Sequence, residues 1–404
     1  MTEAHATPPA RGGIQWRDLD WSVITAIGGI HVVALLAVLP MFFSWSGLIL
    51  FAVLGYFTIA WGIGLCYHRL LTHRSFKTPK WFEYALTVLA CINWQGGPVS
   101  WVGTHRLHHK HSDHDHDPHS PQHGFTWAHI TWTLHKRIEG IDGKSAAKDL
   151  QRDRVLKLLD DWHGVPQFVL AALLFGIGTL VGGWALGVSW VVWGVALRTV
   201  VVFHATWFVN SASHTWGYQN YDDTGEHSTN LAWVALLTFG EGWHNNHHAH
   251  PRSASHGLTW WEIDMTYWTI CALSWVGLAS DIKLVEPEKM PAAVKAQKAA
   301  EAKAAEAAKA EVVAESKHHP TWAETAERVS EVASEAASRA SEAATRASEA
   351  ASEAAGRVSE AASEAAGRVS EAATEAAERV SEAASEAAAR ASEALHRGRV
   401  APSS

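Results

Sequence analysis

The chain has 404 residues and a net charge of −8 with histidine neutral, enough for one large domain with an extension, and it carries no basic footprint for nucleic acid. Its three cysteines, Cys66, Cys91 and Cys271, lie far apart, so neither a disulfide framework nor a thiolate metal site is indicated. Tryptophan is abundant, at 22, and much of it flanks apolar runs, as in the aromatic belts of membrane proteins.

Residues 1–20 are polar, contain Pro8 and Pro9, and read as a loose arm with no apolar signal core. Residues 21–39 are almost wholly apolar and long enough to cross a bilayer, which takes about 20 residues. Pro40 ends that run, and 45–65 forms a second. Spans are expected again at 166–184 and 189–209, joined by a turn at Ala185–Val188. Neither intervening turn carries Lys or Arg, whereas the polar stretch from Cys66 to Val165 is rich in both. The positive-inside rule then places both turns outside and both termini in the cytosol. Within that stretch, Trp81–Trp101 is apolar but interrupted by Asn93, Gln95, Gly96, Gly97 and Pro98. It reads as a helix in the cap or at the interface, not as a span.

Histidine carries the chemical signal. HRLHH supplies His105, His108 and His109, and GEGWHNNHH supplies His244, His247 and His248. Both repeat the spacing i, i+3, i+4, which gathers three imidazoles on one helix face. HRLLTH adds His68 and His73, and Asn210 and His214 add an i, i+4 pair after the last span. Nine histidines exceed what one metal can use, so two metals are expected. Imidazole suits iron, zinc, copper and nickel, and such a site could activate dioxygen. His114, His116, His119 and His123 read as loop histidines, and His31 and His204 as structural. Asp115 and Asp117 fit either as orienting partners of imidazoles or as solvated loop acids.

The tail from Glu286 is rich in Ala and Glu, with Lys giving way to Ser and Arg. From Arg328 it repeats RVSEAASEAAG with a period of eleven, and Glu stands four residues before Arg in several repeats. A helical or disordered extension is expected over 286–404, following a membrane domain over 21–285. The fold class read from the chain is an all-α membrane protein of four transmembrane helices in two hairpins. A cytosolic helical cap would hold a dimetal site.

HRLLTHRSF, HRLHHKHSD with DPHS, NSASHTWGY and GEGWHNNHH together resemble the integral-membrane stearoyl-type Δ9 acyl-CoA desaturases, over about residues 20–285. The resemblance implies a di-iron (Fe2+) centre ligated by His68, His73, His105, His108, His109, His214, His244, His247 and His248, with Asn210 holding a metal through water. It also implies an acyl tunnel touching Gln95, Trp101, Thr206 and Trp207, closed near Tyr56 and Ala60. Gly103 and Thr104 replace an Arg-Asp pair of the animal members that contacts coenzyme A. Lys136 and Arg137 stand as partial substitutes in the basic patch, so acyl-lipid joins acyl-CoA as a substrate carrier. The expected reaction is dioxygen-dependent desaturation in a bacterial inner membrane. No flavin, haem or ferredoxin signature occurs in the sequence. Electrons are therefore expected from a separate ferredoxin or cytochrome b5-like donor. A hydroxylase on the same scaffold and a non-catalytic metal-binding or lipid-scaffolding membrane protein are the rival readings.

Overall fold

The computed structural model describes residues 18–114, 116–136, 143–222 and 224–316, and within them every regular element is helical. Arg137, Asp115 and the eleven-residue repeats lie outside the described residues. The chain divides into two units, Met1–Ala305 and Glu306–Ser404.

Four helices are long and apolar enough to cross a membrane: α1 (Trp21–Val38), α2 (Trp45–Thr72), α7 (Val165–Gly182) and α8 (Trp184–His214). Between α2 and α7 come α3 (Lys80–Cys91), α4 (Pro98–His111), α5 (Phe125–His129) and α6 (Arg154–Asp161). After α8 come α9 (Ala232–Thr238), α10 (His244–Ala249), α11 (Met265–Trp275) and α12 (Ala292–Ser316). Short acceptor side chains begin several of them, satisfying amide groups that a helix start leaves open. Asp20 accepts from Ser22 N and Val23 N at the head of α1. Ser44 accepts from Gly47 N at α2, and Asp264 from Tyr267 N at α11.

The spans differ from the sequence expectation at their polar ends. α2 runs seven residues beyond Leu65, and α8 continues to His214, because each helix carries its metal-seeking residues out of the apolar layer in one rigid piece. The second turn is also elsewhere. Ala185–Val188 is helical, and the chain reverses at Gly183, whose φ of +82° favours glycine. The reason is close packing: a Cβ on Gly178 would lie 2.8 Å from the Cα of Gly187, so α7 and α8 touch backbone to backbone. Trp81–Trp101 is two helices rather than one. Trp94 and Gly96 both take positive φ, and Pro98 starts α4.

From Phe57 to Thr72, α2 is wound as a π-helix. In an α-helix, positions five apart point about 140° away from each other. In the wider winding residue i+5 bonds back to residue i, as His73 N does to His68 O at 3.1 Å. The winding therefore turns HRLLTH, a poor α-helical ligand pair, into two imidazoles on one side.

The first unit also extends past the expected boundary at 285. Val294 of α12 is buried with Leu258 and Val285. We expect truncation after Val285 to lower the thermal unfolding midpoint in detergent, since it uncovers both partners. Truncation after Ala305 should leave the midpoint unchanged. Equal midpoints for the two would mean that the Val294 contact contributes nothing.

Candidate metal centre

α2, α4, α8 and α10 bring their histidines together at one end of the bundle. The loops around α10 are pinned by two asparagines from the same motif. Asn245 Oδ1 accepts from Asn220 N (2.8 Å) and Tyr221 N (2.9 Å). Asn246 Oδ1 accepts from the amides of Asn220 (2.8 Å) and Asn230 (2.9 Å), and its own amide donates to His256 O. With the asparagines spent on backbone and loops, the alternate face of α10 is left to His244, His247 and His248, all buried.

Two sets form. The first gathers His68, His73, His105, His109 and His247; the second gathers His108, His214, His244 and His248. In each set one ring nitrogen per residue lies within 4.8 Å of all the others. In the first, His247 Nε2 stands 2.9 Å from both His68 Nε2 and His109 Nε2, and His109 Nε2 is 3.1 Å from His105 Nε2. In the second, His248 Nε2 is 3.3 Å from His108 Nε2 and 3.0 Å from His244 Nε2, which is 3.1 Å from His214 Nε2. All nine histidines expected from sequence are thus in one of the two sets.

Their protons are assigned by what the outer nitrogens touch. His68 Nδ1 bonds Glu241, His108 Nδ1 bonds Asp117 (3.0 Å), and His248 Nδ1 bonds Glu226 (2.9 Å). His214 Nδ1 lies 3.1 Å from Asp113. A carboxylate accepts, so His68, His108 and His248 donate from Nδ1, which turns Nε2 toward the set. His108 and His248 face each other Nε2 to Nε2 at 3.3 Å. Burial lowers His108, but the Asp117 carboxylate outweighs it and raises that imidazole above its usual range. Burial pushes His73, His105, His109, His244, His247 and His248 well below the usual imidazole range, so these six rings are neutral and able to donate electron pairs. Converging lone pairs in a buried space repel unless a cation lies among them. On that ground the residues present fit two metal ions, one per set.

The carboxylates are held in turn. Arg69, fully buried beside His68, pairs with Glu241 at 2.9 Å and Asp264 at 3.0 Å and donates to Ala254 O. Burial alone would raise Glu241; Arg69 and His68 outweigh it and keep the carboxyl below its usual range. Asp117 behaves likewise between His108 and His119 and is held well below the carboxylate range. Asp117 thus takes the orienting role that the sequence left open. His119, expected in a solvated loop, is instead buried, its ring 4.3 Å from that of His108. Sequence reading missed Arg69, Asp113, Glu226, Glu241 and His256. Arg69 in HRLLTH, Asp113 in HRLHHKHSD and Glu241 in GEGWHNNHH stood inside motifs that could have flagged them; Glu226 and His256 did not. His31 and His204 lie apart from both sets, bonded to each other at 3.2 Å, with His204 also 2.9 Å from His129.

A cavity of about 440 Å³ reaches His105. Gln95, Trp101, Thr206, Trp207, Asn210 and Lys136 are in its wall. Gln95 Nε2 donates to Thr206 Oγ1 at 2.9 Å, and Trp101 stacks on His105 with ring centres 5.1 Å apart. Tyr56 and Ala60 stand outside that wall. Tyr56 meets Thr269 (3.2 Å) and Phe239, and Ala60 is fully buried in helix packing. At Gly103, a Cβ would fall 1.7 Å from Gly143 O, so no side chain fits there.

The fatty acid desaturase family matches residues 43–273. The chain belongs to that family. It is similar to an sn-1 stearoyl-lipid 9-desaturase of Anabaena variabilis, 45% identical over 289 residues that make up 72% of this chain and 100% of that protein. An sn-2 palmitoyl-lipid 9-desaturase of Nostoc sp. (strain 36) is 46% identical over 288 residues, 70% of this chain and 96% of the relative. An acyl-CoA 5-desaturase of Anemone leveillei is 44% identical over 275 residues, 67% and 81% respectively. This desaturase is an oxidoreductase that acts on fatty acyl chains, as the family match establishes.

Partners that fix a ligand's proton typically change metal affinity by about 10- to 100-fold. In this desaturase Asp117→Asn should weaken metal retention by that factor in chelator competition, with helix content by circular dichroism unchanged. Retention equal to that of the parent would show that Asp117 does not orient His108.

Proposed function

We propose that this desaturase introduces a cis double bond at the 9-position of a saturated chain carried on a membrane lipid. The ligand set we propose is the nine histidines above, with Asn210, in the cavity wall, holding a metal through water. One observation carries the reading: outer-nitrogen protons are committed to carboxylates, and the freed lone pairs converge beside a cavity that reaches His105. Imidazole donors without thiolate suit iron. Bound there, two iron ions would supply the dioxygen-dependent redox chemistry that takes two hydrogens from adjacent methylenes, consuming two electrons and two protons and giving two waters.

The protein's share is position and dryness. Trp101 lies flat against His105 and gives the chain an apolar wall at the ligand's edge. The Gln95–Thr206 bond ties the loop before α4 to α8, and Trp101 Nε1 donates to Gln95 Oε1 at 3.4 Å, so the three form one stretch of wall. Thr206 and Trp207, one turn before Asn210, set how far along the chain the reacting carbons come to rest.

The relatives named for stearoyl-lipid and palmitoyl-lipid 9-desaturation support both the position and the lipid carrier. Other relatives are named for acyl-CoA 5-desaturation and for a delta-7 desaturation of a galactolipid, so neither property is constant among them. The lack of room at Gly103 supports lipid over coenzyme A, since the resemblance places a coenzyme contact there. Lys136, at the cavity, and Arg137 would meet the lipid head group.

Expression in a desaturase-deficient host, with fatty acid methyl esters analysed by mass spectrometry, should yield 9-monounsaturated chains esterified to glycerolipid. His108→Ala or His247→Ala should give none above host background while the protein still inserts. Hydroxylated chains in place of alkenes, or product from either variant, would overturn the assignment.

We further propose that the Leu39–Ser44 turn and Gly183 face away from the cytosol while the cap and both termini face it, in a bacterial inner membrane. In a Cys271→Ser background, Met41→Cys and Trp184→Cys, both well exposed, should label with an impermeant maleimide from outside. Lys148→Cys should label only after permeabilisation, and the reverse pattern would invert the topology.

A further inference from the structure

Desaturation as proposed above consumes two electrons, and the inference here rests on that reading. Of the first metal set, His73, His105 and His109 are half-buried; His105 opens onto the cavity, which leaves His73 and His109 as the rings nearest the cap surface. That surface is basic. Arg74 follows His73, Lys110 follows His109, and Arg106 stands one turn before Lys110 on the same side of α4. Three chain segments are knitted together beside them. Lys77 exchanges both backbone bonds with Ser280, at 2.7 and 2.9 Å, and Lys283 N donates to Ser75 O at 2.8 Å. Ala254 N donates to Lys283 O at 2.7 Å, and Lys283 Nζ to Arg74 O at 2.5 Å.

Six cations result: Arg74, Lys77, Arg106, Lys110, Arg252 and Lys283. Among the described residues the carboxylates ion-paired with them are Asp149, shared by Arg74 and Arg106, and Asp281, on Lys77. The excess is felt locally, since burial and the adjacent Arg252 push the Lys283 ammonium below its usual value.

We infer that this face docks an acidic one-electron carrier protein, whose electrons enter through the His73 and His109 edge of the centre. Charge complementarity selects the partner and speeds its encounter, and the backbone knitting keeps the cations in a fixed array.

The test uses the full chain in phosphatidylcholine vesicles, with reduced plant-type [2Fe–2S] ferredoxin as the acidic donor and reduced methyl viologen as a small one. The double variant Lys77→Glu, Arg252→Glu should raise the KM for ferredoxin about tenfold or more and abolish its salt dependence. Its kcat and its rate with methyl viologen should stay at the parent's values. Ferredoxin binding by biolayer interferometry should weaken in parallel, a readout independent of turnover, and Lys77→Arg, Arg252→Lys should behave as the parent. A ferredoxin KM and affinity unchanged by charge reversal would overturn the inference, including the case in which the variant loses only adhesion to anionic vesicles. Failure of the parent to desaturate with either donor would instead strike the proposed function, while the binding measurement would still decide the docking face.

Discussion

Lone pairs on neighbouring imidazoles are made to face one another, and much of the molecule is arranged to tolerate that. Carboxylates on the outer nitrogens remove the freedom of His68, His108 and His248 to turn a proton inward. The carboxylates cost free energy to bury, so each needs partners of its own. Arg69 answers that need at Glu241 and Asp264, and through Ala254 O it fastens the segment following α10 to the end of α2. Ligand geometry, helix-end geometry and buried charge are therefore a single network. Removing Arg69 would leave two carboxylates unpaired in a dry site, a loss of a different order from breaking a surface ion pair.

The membrane half of the chain serves the same network by being stiff. α2 and α8 are continuous from the apolar layer to the metal-seeking residues, so packing inside the bilayer fixes where His68, Asn210 and His214 stand. The close approach of Gly178 and Gly187 and the hydrogen bond between Ser44 and Ser189 (2.7 Å) lock the hairpins at the opposite end. The cavity is bounded by α1, α8 and the loop before α4, which suits an enzyme that must choose one pair among many similar methylenes.

The spans and the histidine sets were legible because both are periodic signals: long apolar runs and a repeated i, i+3, i+4 spacing. The places where reading failed are places where periodicity carries no information. π-Winding shifts register without leaving a mark in residue type, so the pairing of His68 with His73 was plain only as a resemblance. Gly183 rather than Ala185–Val188 became the turn because two glycines nine apart found each other across the hairpin, a contact that needs three dimensions. Arg69 and Asp113 are single polar residues whose roles depend on partners more than a hundred positions away, and Glu226 reaches His248 across 22 residues and a change of element. His119 looked like its loop neighbours, and only the fold separates it from them. Tyr56 and Ala60 were carried over from the resemblance, and packing against Thr269 and Phe239 accounts for Tyr56 without a ligand.

The two imidazole sets also differ in their surroundings. Among the described residues, the five-histidine set has one carboxylate on an outer nitrogen, Glu241, and that charge is shared with Arg69. The four-histidine set has two, Asp117 on His108 and Glu226 on His248, with Asp113 a further carboxylate 3.1 Å from His214 Nδ1. Hydrogen bonding to a carboxylate makes an imidazole a stronger electron donor. A pair of like ions placed here would consequently be unlike in potential, with the higher charge favoured at the four-histidine position.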